Sequence, residues 1–176
     1  MAGDIKLKYV STVTVTTTNL VSACTNTATW VTGWTSNTYT NNANCYIDYL
    51  YSGQFTLAAA SAAAGQINVY VVSSLNDTPT WTATSSGTLG TESATPVVFA
   101  DTARRDSICR LLCSITTTAT TGGIFTFPQT GIANLFGGMV PTQHCLWVTA
   151  NVNTSTNANF QATCAIYQEP VYAQYT

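Results

Sequence analysis

Cys45-Tyr46-Ile47-Asp48-Tyr49-Leu50-Tyr51-Ser52-Gly53-Gln54-Phe55-Thr56-Leu57 decides the fold class. Cys45, Ile47, Tyr49, Tyr51, Phe55 and Leu57 fall on one face of an extended chain, while Tyr46, Asp48, Ser52, Gln54 and Thr56 fall mostly on the other. Side chains alternate across a strand with a period of two, so the pattern predicts a half-buried β-strand. The same period recurs along the chain. Ile67 to Val72 reads as the next strand, and Ser107 to Ile115 places Cys109, Leu111, Cys113 and Ile115 inward with Arg110 outward. Leu146, Val148, Ala150 and Val152 form one further inward row, and Phe160, Ala162, Cys164 and Ile166 another. Near the N-terminus Ile5, Leu7 and Tyr9 alternate with Lys6 and Lys8, a short amphipathic strand whose lysines discourage uncontrolled edge pairing.

Between these rows the chain reads as strands, turns and loops. Thr12 to Val21 continues as a Thr/Val strand, Ser22 to Asn44 as short strands and loops, and Ile124 to Phe127 as another strand. Leu57 to Gly65 is an Ala-rich connection, too short and too interrupted for a stable helix. Ser73 to Ala100 is a long excursion punctuated by Asn76-Asp77-Thr78-Pro79, Gly87, Gly90 and Pro96, with a short strand expected around Trp81. Ile132 to Phe136 resembles a single helical turn stopped by Gly137-Gly138. About eight short strands without a sustained helical repeat indicate a sandwich or barrel. The longer connections favour an all-β, jelly-roll-like antiparallel β-sandwich with extended terminal arms. Its organisation is an N-terminal arm over 1–10, one sandwich domain over 11–169 and a C-terminal arm over 170–176.

Composition narrows the class of function. Charged residues make up 7% of the 176, where a soluble domain usually carries about 25%. Thr, Ser, Asn and Gln stand in their place. Such a neutral exterior fits a surface largely covered by neighbouring subunits, or equally a secreted Thr/Ser-rich domain hydrated through hydroxyls and amides. The five basic residues, Lys6, Lys8, Arg104, Arg105 and Arg110, are too few to track a phosphate backbone, so no nucleic-acid partner is expected. No apolar run matches a signal peptide or a bilayer span, which places synthesis in the cytoplasm of the producing cell and predicts no membrane partner. The six cysteines are dispersed through a chain large enough to fold without staples, so free and mostly buried thiols are expected. Cys109 and Cys113 share a strand face but lie about 13 Å apart, out of disulfide reach.

An inventory of chemical groups argues against an enzyme. The single histidine, His144, sits beside Cys145, and sequence neighbours on a strand point to opposite faces, which disfavours a Cys-His dyad. Cys109-Arg-Leu-Leu-Cys113 has no second ligand pair nearby for zinc. Asn76, Asp77, Asp101 and Asp106 lack EF-hand order for calcium and are already accounted for as turn formers. No cofactor is implied. Asp101-Thr-Ala-Arg104-Arg105-Asp106 is the one local concentration of charge, readable as an inter-subunit salt-bridge cluster or as a solvated loop entering the next strand. Trp30, Trp34, Trp81 and Trp147 serve core and subunit packing, or, with Trp34 and Trp81 exposed, a flat platform for sugar rings.

Several segments resemble a family of small virion structural proteins of tailed bacteriophages that includes capsid decoration, or cement, proteins. The resemblance is carried by Gly3-Asp-Ile-Lys-Leu-Lys-Tyr9, by Gly65-Gln-Ile-Asn-Val-Tyr-Val-Val-Ser-Ser-Leu-Asn-Asp-Thr-Pro-Thr-Trp81, by Leu135-Phe-Gly-Gly-Met-Val-Pro141 with Cys145-Leu-Trp-Val-Thr-Ala-Asn151, and by Pro170-Val-Tyr-Ala173. This chain is richer in Cys, and carries Thr or Ala at places where more charge is expected. What the resemblance implies is a β-sandwich on the surface of an icosahedral virion, a homotrimer whose other partner is the major capsid protein. No catalytic residue comes with it. Contacts to the shell or to sister subunits are expected at Ile5, Lys6, Leu7, Lys8 and Tyr9 and at Arg104 and Arg105. The competing expectation is a head-fibre or tail module that binds host-surface carbohydrate through Trp34 and Trp81.

Overall fold

The computed structural model describes residues 4–24, 27–57, 65–74, 81, 84, 86–118, 123–152 and 160–176. Two antiparallel sheets pack face to face. The strands are β1 (Ile5–Tyr9), β2 (Val13–Val15), β3 (Thr32–Thr35), β4 (Tyr39–Thr40), β5 (Asp48–Thr56), β6 (Gly65–Ser74), β7 (Val97–Val98), β8 (Cys109–Thr117), β9 (Ile124–Gly131), β10 (Gln143–Asn151) and β11 (Ala165–Tyr175). The first sheet runs β1-β11-β5-β9, with β2 following β1 along the same side of β11. The second runs β7-β3-β10-β6-β8, with β4 following β3 along β10. The all-β sandwich expected from the alternating rows is the fold observed.

The core lies where the two inner faces meet. Tyr49, Tyr51 and Phe55 of β5, Phe127 of β9 and Ile166 of β11 pack against Ile67, Val69 and Val71 of β6 and Leu146, Val148 and Ala150 of β10. A second apolar cluster sits on the outer side of the second sheet. There Tyr70 and Val72 of β6 and Cys145 and Trp147 of β10 are covered by Leu89, Val97 and Phe99 from the excursion between β6 and β8. This third layer explains why β10 is buried along nearly its whole length instead of alternating.

Three local features depart from simple alternation. Val69 pairs with Cys113 but Tyr70 pairs with Leu111, so Leu112 is an extra residue, a β-bulge. The bulge flips the phase: Leu112 is buried and Leu111 exposed, and Cys109 belongs to the outer cluster while Cys113 packs on the main core. The expectation that Leu111 points inward and that both cysteines share a face is corrected accordingly. Ala162, expected inward, is exposed at a turn before β11, whereas Phe160, Cys164 and Ile166 are buried. Leu20 to Ala23 forms a helical turn, α1, and not the end of a strand.

Thr102–Ile108 is a helix, α2, where a salt-bridge cluster or solvated loop is expected over 101–106 and a strand from Ser107; its N-cap Asp101 accepts a hydrogen bond from the Arg104 amide at 2.7 Å. Ala133–Phe136 forms the expected single turn, of 3₁₀ type, and Gly137 and Gly138 end it with φ of 71° and 90°. Trp81 lies outside any strand, and its neighbours at 82 and 83, like the connection 58–64, Asn76 and Asp77, fall outside the described residues.

Candidate interaction surface

Pro170 shapes an exposed part of the molecule. It stands inside β11, with its carbonyl accepting from the Val10 amide at 2.9 Å. Having no N–H, it cannot return the second bond of that rung, and the partner strand is interrupted here, between β1 and β2. Beyond Pro170 the C-terminal end of β11 has only β1 beside it once β5 stops opposite Val171. The N-terminal and C-terminal arms are therefore one two-stranded ribbon. Residue 170 is no break in β11, which runs through it to Tyr175.

Register fixes what the ribbon presents. Ile5 lies opposite Tyr175, Leu7 opposite Ala173 and Tyr9 opposite Val171, all on one face; Lys6 opposite Gln174 and Lys8 opposite Tyr172 share the other. The apolar face is open to solvent away from its Val171 end, with Ile5 at 67%, Leu7 at 56%, Tyr9 at 58% and Tyr175 at 73% exposure, while Val171 is buried. Asp4 and Thr176 exchange backbone bonds of 3.1 and 3.0 Å, so the rungs that bond β1 to β11 fall at Asp4, Lys6, Lys8 and Val10. The N–H and C=O groups of Ile5, Leu7 and Tyr9 consequently point away from β11. No strand among the described residues pairs that edge.

The two candidate arginines separate. Arg104 is exposed on α2. Arg105 is only 11% exposed; it bridges to Asp106 at 2.7 Å, donates to the Trp30 carbonyl at 2.8 Å and stacks over the Tyr70 ring with 5.6 Å to the centroid. Arg105 thus fastens α2 to the outer cluster within one chain and is not a free contact residue. Neither arginine lies on the ribbon.

The aromatic platform does not form. Trp34 is fully buried in the main core and its indole N–H donates to Glu92 Oε1 at 3.2 Å. Trp81 is half-buried against the outer cluster. Glu92 also accepts from the Asn19 backbone at 2.6 Å and side chain at 2.8 Å, tying the excursion to the start of α1. Nothing in the residue pattern around Glu92 marks this clamp, because its three donors come from segments distant in sequence.

His144 faces the main core and is fully buried among the rings of Tyr39, Tyr49 and Tyr51. Its Nε2 lies 2.7 Å from the Tyr51 hydroxyl, which accepts from Gln168 Nε2 at 2.8 Å. Burial lowers the imidazole to about 3, and pushes Tyr39 and Tyr49 up to about 12. Cys145 lies in the outer cluster, on the opposite side of β10. The neighbours therefore sit on opposite sides of the strand, as the alternation requires.

The thiols are all unpaired, with Cys24, Cys109, Cys145 and Cys164 buried and Cys45 exposed. Asp101 is engaged as a helix cap and Asp106 with Arg105. Among the described residues no group of three His, Cys, Asp or Glu side chains converges, and no described helix is long and apolar enough to cross a membrane. Comparison with protein-family models, with curated proteins and with solved structures gives no match for this chain.

Proposed function

We infer that the chain is a non-enzymatic structural protein of a bacteriophage virion, of the capsid decoration or cement type, that binds the assembled major capsid protein and acts as a homotrimer. The observation that carries this reading is the solvent-exposed, apolar ribbon formed by the two arms, with an unpaired strand edge, on a body nearly devoid of charge. An isolated two-stranded ribbon is marginal in water, and an unpaired edge invites strand addition. The order of strands also supports it. Taking β1 with β2 and β3 with β4 as single strands and leaving out the short β7, the chain changes sheet at every connection except β6 to β8, an order that fits the nested antiparallel pattern expected of a jelly roll.

Stabilisation would follow from mass action, since a protein that binds only the assembled shell shifts the equilibrium towards assembly. The carbohydrate-binding alternative loses its support with Trp34 in the core. The test is a particle decorated with a version lacking residues 1–9: occupancy and heat resistance are expected to fall. Full occupancy with full heat resistance would overturn the ribbon's role in capsid binding.

A further inference from the structure

We propose that the open edge of β1 is completed by an extended segment of a partner protein in which acidic residues alternate with apolar ones. The inference rests on the chain being a binding module, but not on the identity of the shell. Three residues, Ile5, Leu7 and Tyr9, turn their backbone N–H and C=O outward, and these same residues carry the ribbon's apolar side chains. An added antiparallel strand would exchange backbone bonds at those positions and set its apolar side chains beside theirs. Its intervening residues would stand directly opposite Lys6 and Lys8.

Charge selects the occupant. Lys6 and Lys8 are exposed on one face, their rung partners on β11 are Gln174 and Tyr172, and Asp4 is the one carboxylate on the same face of β1. Carboxylates at alternate positions of an incoming strand would complement both lysines, whereas like charges directly opposite are destabilising. A second copy of this chain meets that penalty. Antiparallel self-pairing centred on Leu7, the one arrangement that engages all three open residues, sets Lys6 against Lys8 of the other copy twice over.

The experiment uses the full chain and two capped probe peptides, one alternating valine with glutamate and one alternating valine with lysine. The glutamate peptide is expected to bind about tenfold more tightly, from two cross-strand pairs changing sign. The Lys6→Glu/Lys8→Glu double variant is expected to reverse the preference. Amide hydrogen exchange is expected to slow at Ile5, Leu7 and Tyr9 on binding, while the amides of Lys6 and Lys8, already bonded to β11, change little.

Equal affinity for both peptides, or no binding of either, would overturn the proposal, as would protection appearing at Ala173 and Tyr175 instead. Concentration-dependent self-association that protects Ile5, Leu7 and Tyr9 would also overturn it, by making a second copy the occupant. Peptide selectivity that persists while ribbon-deleted protein still decorates particles fully would leave the edge proposal standing and remove the ribbon from capsid binding, so the two failures are distinguishable.

Discussion

The Tyr51 hydroxyl and His144 Nε2 lie 2.7 Å apart in the middle of the sandwich, one on each sheet. The contact ties β5 to β10 with a hydrogen bond at a depth where most neighbours are apolar. Gln168 on β11 donates to the same hydroxyl, so three strands meet at one oxygen atom.

This site predicts an acid-sensitive stability. Unfolded, the imidazole takes up a proton below about pH 6.5; folded, burial delays that step to about 3. The unfolded state therefore binds more protons across that window, and the His144 contribution is present above 6.5 and lost as pH falls. Stability should drop by roughly 2 kcal/mol between pH 6.5 and 5. The chain has one histidine, so chemical denaturation of the chain with and without it, across that range, isolates the effect. His144→Phe should flatten the slope. An unchanged slope would place the titrating group elsewhere.

The bulge in β8 predicts an inversion of what alternation alone suggests. Leu112→Ala, at a buried position, should cost about 2–5 kcal/mol, and Leu111→Ala, 47% exposed, well under 1 kcal/mol. Equilibrium unfolding of the two variants checks the order. Equal costs, or the reverse order, would mean that the strand runs without the bulge.

What the sequence conveyed follows from how local each signal is. Tyr49, Tyr51 and Phe55 alternate because β5 has one face on the core, and the period of two appears directly in the residue order. Leu111 and Leu112 are both apolar, so a one-residue phase slip leaves no trace in hydrophobicity. Trp34 and Trp81 read as either core or surface, because Trp34 depends on which side of β3 meets the first sheet and Trp81 on how the excursion lies over the second. Arg105 looked like a contact residue since its partners, Trp30 and Tyr70, are remote in sequence. The amphipathic pattern at Ile5 to Tyr9 was legible, but its pairing with the far end of the chain was not.

Glu92 should behave as a clamp. Its carboxylate receives the Asn19 amide, the Asn19 side chain and the Trp34 indole, and removing it leaves three donors to find other acceptors in a part-buried site. Glu92→Ala is expected to cost about 1–3 kcal/mol, and Glu92→Gln less because an amide oxygen can still accept. Denaturant midpoints measure the cost, and altered tryptophan emission would report on the indole.

Thiol chemistry should divide the cysteines by depth. Burial pushes Cys24 and Cys145 up to about 12 and raises Cys109 and Cys164 as well, so their thiolates are scarce at neutral pH and shielded from reagents. Cys113 is partly buried and also raised, to about 12. Cys45 is exposed, at a loop position with φ of 51°. A thiol-disulfide reagent added to the native protein should therefore label Cys45 in a fast phase and Cys113 slowly. The four buried thiols should react only on unfolding, as they are sequestered by packing and not by bonds to one another. Cys45→Ser should abolish the fast phase without changing stability. A fast phase that survives this substitution would show that one of the inner cysteines is reached through local opening, and would direct attention to β8, where the bulge already weakens the ladder beside Cys113.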